Sequence, residues 1–168
     1  MKKIILVNGL IGGVIVSAVM ATAVASGYSG EGGMIIGYAS MLIAFSLIFV
    51  GIKNYRDKYN GGIITFGKAF TIGILITLIA STLYVATWLV EYFFFIPDFG
   101  DKYAAEMVDK LKASGASQIE LDQKAKEMAS FAAMYKNPFF NAMISYMEIL
   151  PVGLIVTIIS ALILKKKS

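Results

Sequence analysis

Four apolar stretches, each long enough to cross a bilayer, decide what this chain can become. Ile4 to Ala25, Met34 to Ile52, Ala69 to Ile96 and Ala142 to Leu164 are broken only by small or isolated polar side chains. Crossing roughly 30 Å of hydrocarbon takes about 20 residues at about 1.5 Å of rise each. Lipid offers the backbone no hydrogen-bond partner, so stretches of this length must be helical. Composition agrees, with 58% hydrophobic and 15% charged residues, against about 25% charged in a soluble domain. The expected fold is all-α, an integral membrane four-helix bundle. It forms one membrane domain over residues 1–168, with spans 4–25, 34–52, 69–96 and 142–164.

Charge orients the spans. Lys2 and Lys3 precede the first, Lys53, Arg56, Lys58 and Lys68 separate the second from the third, and Lys165 to Lys167 follow the fourth. These nine cations face one acid, Asp57, whereas the other side carries six basic residues and ten acids. Lys and Arg stay on the cytoplasmic face. Both termini are therefore expected in the cytoplasm, which an even number of spans requires. The Ala21-Thr22-Ala23 and Ala23-Val24-Ala25 runs resemble a signal-peptidase site, but the apolar run is longer than the usual signal core of about 7–15 residues. It also carries Gly9, Gly13, Ser17, Ala21 and Ala25, a small residue at every fourth position. Such a stripe lets membrane helices approach closely, so the segment is read as a retained span. Gly73 and Thr77 in the third span, and Gly153 and Thr157 in the fourth, mark similar faces. With Gly9, Gly13 and Ser17 they are the candidate helix-packing residues.

The connections differ in character. Gly27 to Gly33 is expected to be a short external turn. The cytoplasmic loop, 53–68, contains the turn signal Asn60-Gly61-Gly62, and Thr65 is placed to cap the third helix. Residues 98–137 form the one sizeable segment outside the spans and read as an extracytoplasmic helical hairpin. Tyr103, Met107, Val108 and Leu111 share one face, Gly115 is a stop, and Ser117-Gln118-Ile119-Glu120 is a capping box. Glu106→Lys110, Glu120→Lys124 and Asp122→Lys126 are expected as i,i+4 pairs. Pro138 ends the second helix of this hairpin.

Only Glu91 and Glu148 place charge inside the apolar spans. A charge at a span's centre costs about 2.5–3.5 kcal/mol on insertion scales, which makes each a functional candidate. Glu91 lies five turns beyond Gly73 on the packed face of its helix. Both acids sit about two turns inside the external surface, so matching depth would let them share a proton or bind a cation. On a straight helix, however, Glu148 points away from Gly153 and Thr157. Glu91 and Glu148 are the candidate intramembrane ion or proton site. The chain lacks His and Cys, which removes His-based triads, thiolate nucleophiles, zinc sites built on His or Cys, and disulfides. No phosphate-binding glycine loop with a lysine is present. No enzyme, metal or cofactor is expected, and the dispersed net charge of +4 does not suggest nucleic acid. The expected partners are membrane lipids and a second copy or another membrane protein.

Three groups of residues, in order along the chain, resemble a known family. Tyr55-Arg56-Asp57 leads to Asn60-Gly61-Gly62-Ile63-Ile64-Thr65-Phe66-Gly67-Lys68-Ala69-Phe70. Ile96-Pro97-Asp98-Phe99 follows, and then Glu148-Ile149-Leu150-Pro151-Val152-Gly153-Leu154-Ile155 with the closing lysines. The order and spacing are similar to the domain of unknown function 4199 (DUF4199) family of small bacterial membrane proteins. The resemblance implies a multi-pass protein of the bacterial inner membrane with four spans, and it brings no activity or site residue. The reading on these grounds is a non-enzymatic structural or assembly component. A small ion- or proton-linked transporter or channel is its alternative.

Overall fold

The computed structural model describes residues 1–26 and 30–166, of which residues 30 and 31 are placed as backbone alone. Among them are six helices: α1 (Lys2–Ala25), α2 (Gly30–Tyr59), α3 (Phe66–Phe94), α4 (Phe99–Ala113), α5 (Gln118–Tyr135) and α6 (Pro138–Leu164). Four of them, α1, α2 from Gly32, α3 and α6, are long and apolar enough to cross a membrane.

The helix ends follow from local chemistry, and several correct the sequence boundaries. α2 continues through Lys53–Tyr59, so the first part of the expected 53–68 loop is helical. Lys and Arg propagate a helix readily, and no Gly or Pro stops it before Asn60. There Gly61 and Gly62 take φ of 62° and 81°, a conformation that costs other residues strain. The Asn60 amide closes the turn by donating to the Ile63 carbonyl at 2.6 Å. Thr65 accepts the Lys68 N–H at 3.3 Å and opens α3. At the far end of α3 the Glu91 carbonyl accepts from both Phe95 and Ile96, and the helix ends at Phe94 rather than Ile96. Pro138 opens α6 rather than closing α5, because proline suits the first helical position. The side chain of Asn137 caps the new helix by accepting from Phe139 and Phe140 at 2.9 and 3.3 Å. The expected turn at 27–33 is shortened by a helix start at Gly30; its residues 27–29, and Lys167, lie outside the described residues.

The described chain divides into two compact units. The first comprises Met1–Trp88 and Ser145–Ser168. In it α3 buries Ala69, Ile72, Ile76, Thr77, Ala80, Ser81 and Tyr84, a three-and-four spacing that keeps one seam facing its neighbours. A Cβ on Gly9 would sit 2.8 Å from the Ile79 Cβ, and one on Gly13 would sit 3.2 Å from the Ala80 Cα. α1 and α3 are thus in backbone contact. A Cβ on Gly12 would meet the Ala44 carbonyl oxygen at 3.2 Å, and one on Gly51 would meet Asn8 at 3.4 Å. These two pairs set α1 and α2 antiparallel. α3 and α6 interlock through Gly73 against Thr157 and Gly153 against Thr77. Ile64 and Lys166 exchange two backbone hydrogen bonds at 3.0 and 2.9 Å. This short bridge ties the end of α6 to the connection before α3.

The second unit is Leu89–Ile144. α4 and α5 form a helical hairpin whose turn contains Gly115, at a φ of 83°. The capping box is present: Glu120 N–H donates to the Ser117 hydroxyl, and Ser117 N–H donates to Glu120 at 2.8 Å. That commits Glu120, so the expected Glu120→Lys124 pair does not form; Lys124 meets Glu127 at 3.2 Å instead. Asp122 accepts from Gln118 at 2.8 Å rather than pairing with Lys126. Glu106 and Lys110 do pair, at 2.9 Å. Met128, Ala132 and Tyr135 are buried. Tyr135 lies edge-on to Tyr92 at 5.3 Å and stacks on Phe131 at 5.3 Å.

Candidate functional site

The α3–α6 contact in the first unit carries three polar side-chain pairs among buried apolar residues. Thr77 Oγ1 and Thr157 Oγ1 lie 3.2 Å apart, both fully buried. Thr77 also donates back to the Gly73 carbonyl at 3.0 Å. Farther along, Thr82 and Tyr146 hydroxyls meet at 2.9 Å, and Tyr84 Oη donates to Glu148 Oε2 at 3.4 Å. Ser81 and Ser160 add buried hydroxyls. Glycine and threonine make this geometry accessible, since two helices approach closely only where side chains are small. Hydrogen bonds between such helices are worth about 0.6 kcal/mol on average. Together they fix helix register more than they supply stability.

The two acids stand differently. Glu148 is on the exposed flank of α6, off the buried row of Ser145, Ile149, Gly153 and Thr157, as the straight-helix reading required. Its partner is Tyr84 of α3, in the same unit. Glu91 belongs to the second unit and is 7% exposed. Among the described residues its Oε2 is a buried oxygen without a hydrogen-bond partner. Two pairs that the sequence reading did not single out, the Thr82–Tyr146 hydroxyls and the Tyr84 hydroxyl with the Glu148 carboxylate, join residues more than 60 positions apart. No local signal links them. The glycines Gly12 and Gly51 also escaped a reading limited to fourth-position stripes. Ser17, the last of the first span's stripe to be singled out, is half-buried with its hydroxyl unpartnered among the described residues. Those residues contain no group of three or more acids placed to hold a metal ion.

A family model described as "Protein of unknown function (DUF4199)" matches residues 8–166. The chain belongs to DUF4199. No curated protein and no solved structure matches it. In this DUF4199 chain the residues from Tyr55 to Phe70 build the end of α2, the glycine turn and the start of α3. Ile96 to Phe99 joins α3 to α4, and Glu148 to Ile155 forms the part of α6 that carries Gly153. Two of the three segments belong to the first unit and support its packing.

Proposed function

We propose that this DUF4199 protein is a multi-pass protein of the bacterial inner membrane, a non-enzymatic structural or assembly component with both termini cytoplasmic. The α4–α5 hairpin is its extracytoplasmic segment. One observation carries the reading: the small residues Gly9, Gly13, Gly73 and Gly153 are each occupied by another helix of the same chain. They serve to close one bundle. Its outer face, with Leu42 and Ile43 of α2 at 56% and 62% exposure, is left to lipid, a second copy or another membrane protein. The chemistry of catalysis finds little to work with in a chain without His or Cys. Gly13→Leu and Gly73→Leu test the reading. Each is expected to lower stability in detergent and to abolish recovery of any crosslinked assembly. Unchanged stability and unchanged crosslinking in both variants contradict it.

The Tyr84–Glu148 hydrogen bond favours a second reading, an ion- or proton-linked transporter or channel. A carboxylate in an apolar helix is a functional candidate by its cost alone, and here it has a hydroxyl partner. On this reading Glu148→Gln and Glu91→Gln each abolish pH-dependent flux in liposomes while insertion is retained. Flux no greater than that of empty vesicles eliminates it.

A further inference from the structure

We infer that the end of the first unit formed by the α2–α3 turn and the chain's last described residues is a docking surface for anionic phospholipid headgroups. The inference rests on the reading of this chain as a membrane protein. Three separate parts of the sequence meet there. The antiparallel register of α1 and α2, fixed by Gly12 against Ala44 and Asn8 against Gly51, brings Lys2 and Lys3 to the end of α2 that carries Lys53 and Lys58. The Ile64–Lys166 bridge adds Lys165 and Lys166, and Arg56 Nη1 ties the same end down by donating to the Leu164 carbonyl at 3.3 Å. Lys68 completes the set, its Nζ lying 5.9 Å from the centre of the Tyr55 ring.

The lysines in this set are exposed. Among the described residues, Arg56 alone of these cations meets a carboxylate, Asp57 at 2.6 Å. Lys53 and Lys166 both act on that same aspartate through space, so a single negative charge serves several positive ones. Cations gathered without counter-charges attract an anionic surface, and each is worth about a fivefold gain in affinity near such a membrane. The apolar side chains beside them fit a bilayer better than a soluble partner. Tyr59 is 66% exposed, and Ile63 and Phe66 are 39% exposed. Aromatic and aliphatic groups among lysines, at the ends of helices long enough to span, match the headgroup layer, where amphipathic rings and snorkelling lysines both settle.

The test uses the full chain in vesicles of phosphatidylcholine containing a trace of spin-labelled phosphatidylglycerol or spin-labelled phosphatidylcholine. The expected result is a several-fold preference of the protein-bound fraction for phosphatidylglycerol at low salt, shrinking as salt screens it. The variant Lys53→Gln/Lys58→Gln/Lys68→Gln/Lys166→Gln loses that preference. The control Lys112→Gln/Lys126→Gln, altered in α4 and α5, keeps it. Equal binding of the two lipids, or a preference that survives in the patch variant, overturns the proposal. So does selective loss in sodium phosphate relative to chloride of equal ionic strength, which marks a free-phosphate site. Flotation with pure phosphatidylcholine vesicles reports separately on the membrane reading: a protein that floats without lipid preference sinks the headgroup site alone.

Discussion

At Gly153 the α3–α6 seam has no space for one methyl group: a Cβ there would overlap Thr77 Cγ2 and lie 3.0 Å from Phe45 Cζ. Overpacking a tight core costs about 1–3 kcal/mol. Gly153→Ala is therefore expected to destabilise the detergent-solubilised protein by about that amount, read from unfolding in increasing SDS. Gly37→Ala, where a Cβ meets nothing within 4 Å, is the matched control and is expected to change little or to stabilise. A second prediction concerns the polar rung above it. Tyr84→Phe removes the donor to Glu148, and a membrane hydrogen bond of this kind is worth about 0.6 kcal/mol. In a double-mutant cycle with Glu148→Leu, the coupling between the two sites is expected near that value. Coupling indistinguishable from zero means that the two groups do not interact. Gly153 and Thr77 were marked in the sequence as packing residues, but the polar rung was not legible there. Glu148 could be recognised as an isolated acid, but its partner lies 64 positions away and is brought to it only by the register of two helices.

At the scale of elements the local signals were read well where chemistry is confined to a few neighbouring residues. Thr65, Gly115 and the Ser117–Glu120 box do what their types and spacing dictate. The same box explains an error. Glu120 has one carboxylate, and its use at the cap leaves Lys124 to pair with Glu127. Pairwise i,i+4 rules have no means of ranking such competition. The box also predicts a pH dependence. Hydrogen bonds from the Ser117 backbone N–H and then its hydroxyl hold the Glu120 carboxyl below its ordinary range. A depressed folded-state value contributes stability that is present above the unfolded pKa and disappears as pH falls through the folded one. Amide exchange in the first turn of α5 is expected to accelerate on acidification below the usual Glu range, after correction for intrinsic rates. Ser117→Ala is expected to give the same acceleration at neutral pH, reflecting the loss of a cap worth about 1 kcal/mol.

For the whole molecule, the four long apolar helices could be read from residue type because hydrophobicity over about 20 residues is a property of the chain itself. The start of α6 could not: it begins at Pro138, four residues before the apolar run, because proline suits the first helical position. Topology is the remaining consequence, and it is open to direct measurement because the chain has no native Cys. The Ile64–Lys166 bridge places the α2–α3 turn and the end of α6 together, so their exposure to one compartment does not depend on lipid. What depends on lipid is which compartment. Single cysteines at Lys58 and Lys166 are expected to resist a membrane-impermeant maleimide in intact cells and to react after permeabilisation. A cysteine at Asp109 in α4, separated from both by one crossing of α3 or α6, is expected to react in intact cells. Reaction of all three before permeabilisation would leave α3 and α6 with no bilayer to cross, and the positive ends of the bundle would then need an explanation other than retention on the cytoplasmic face.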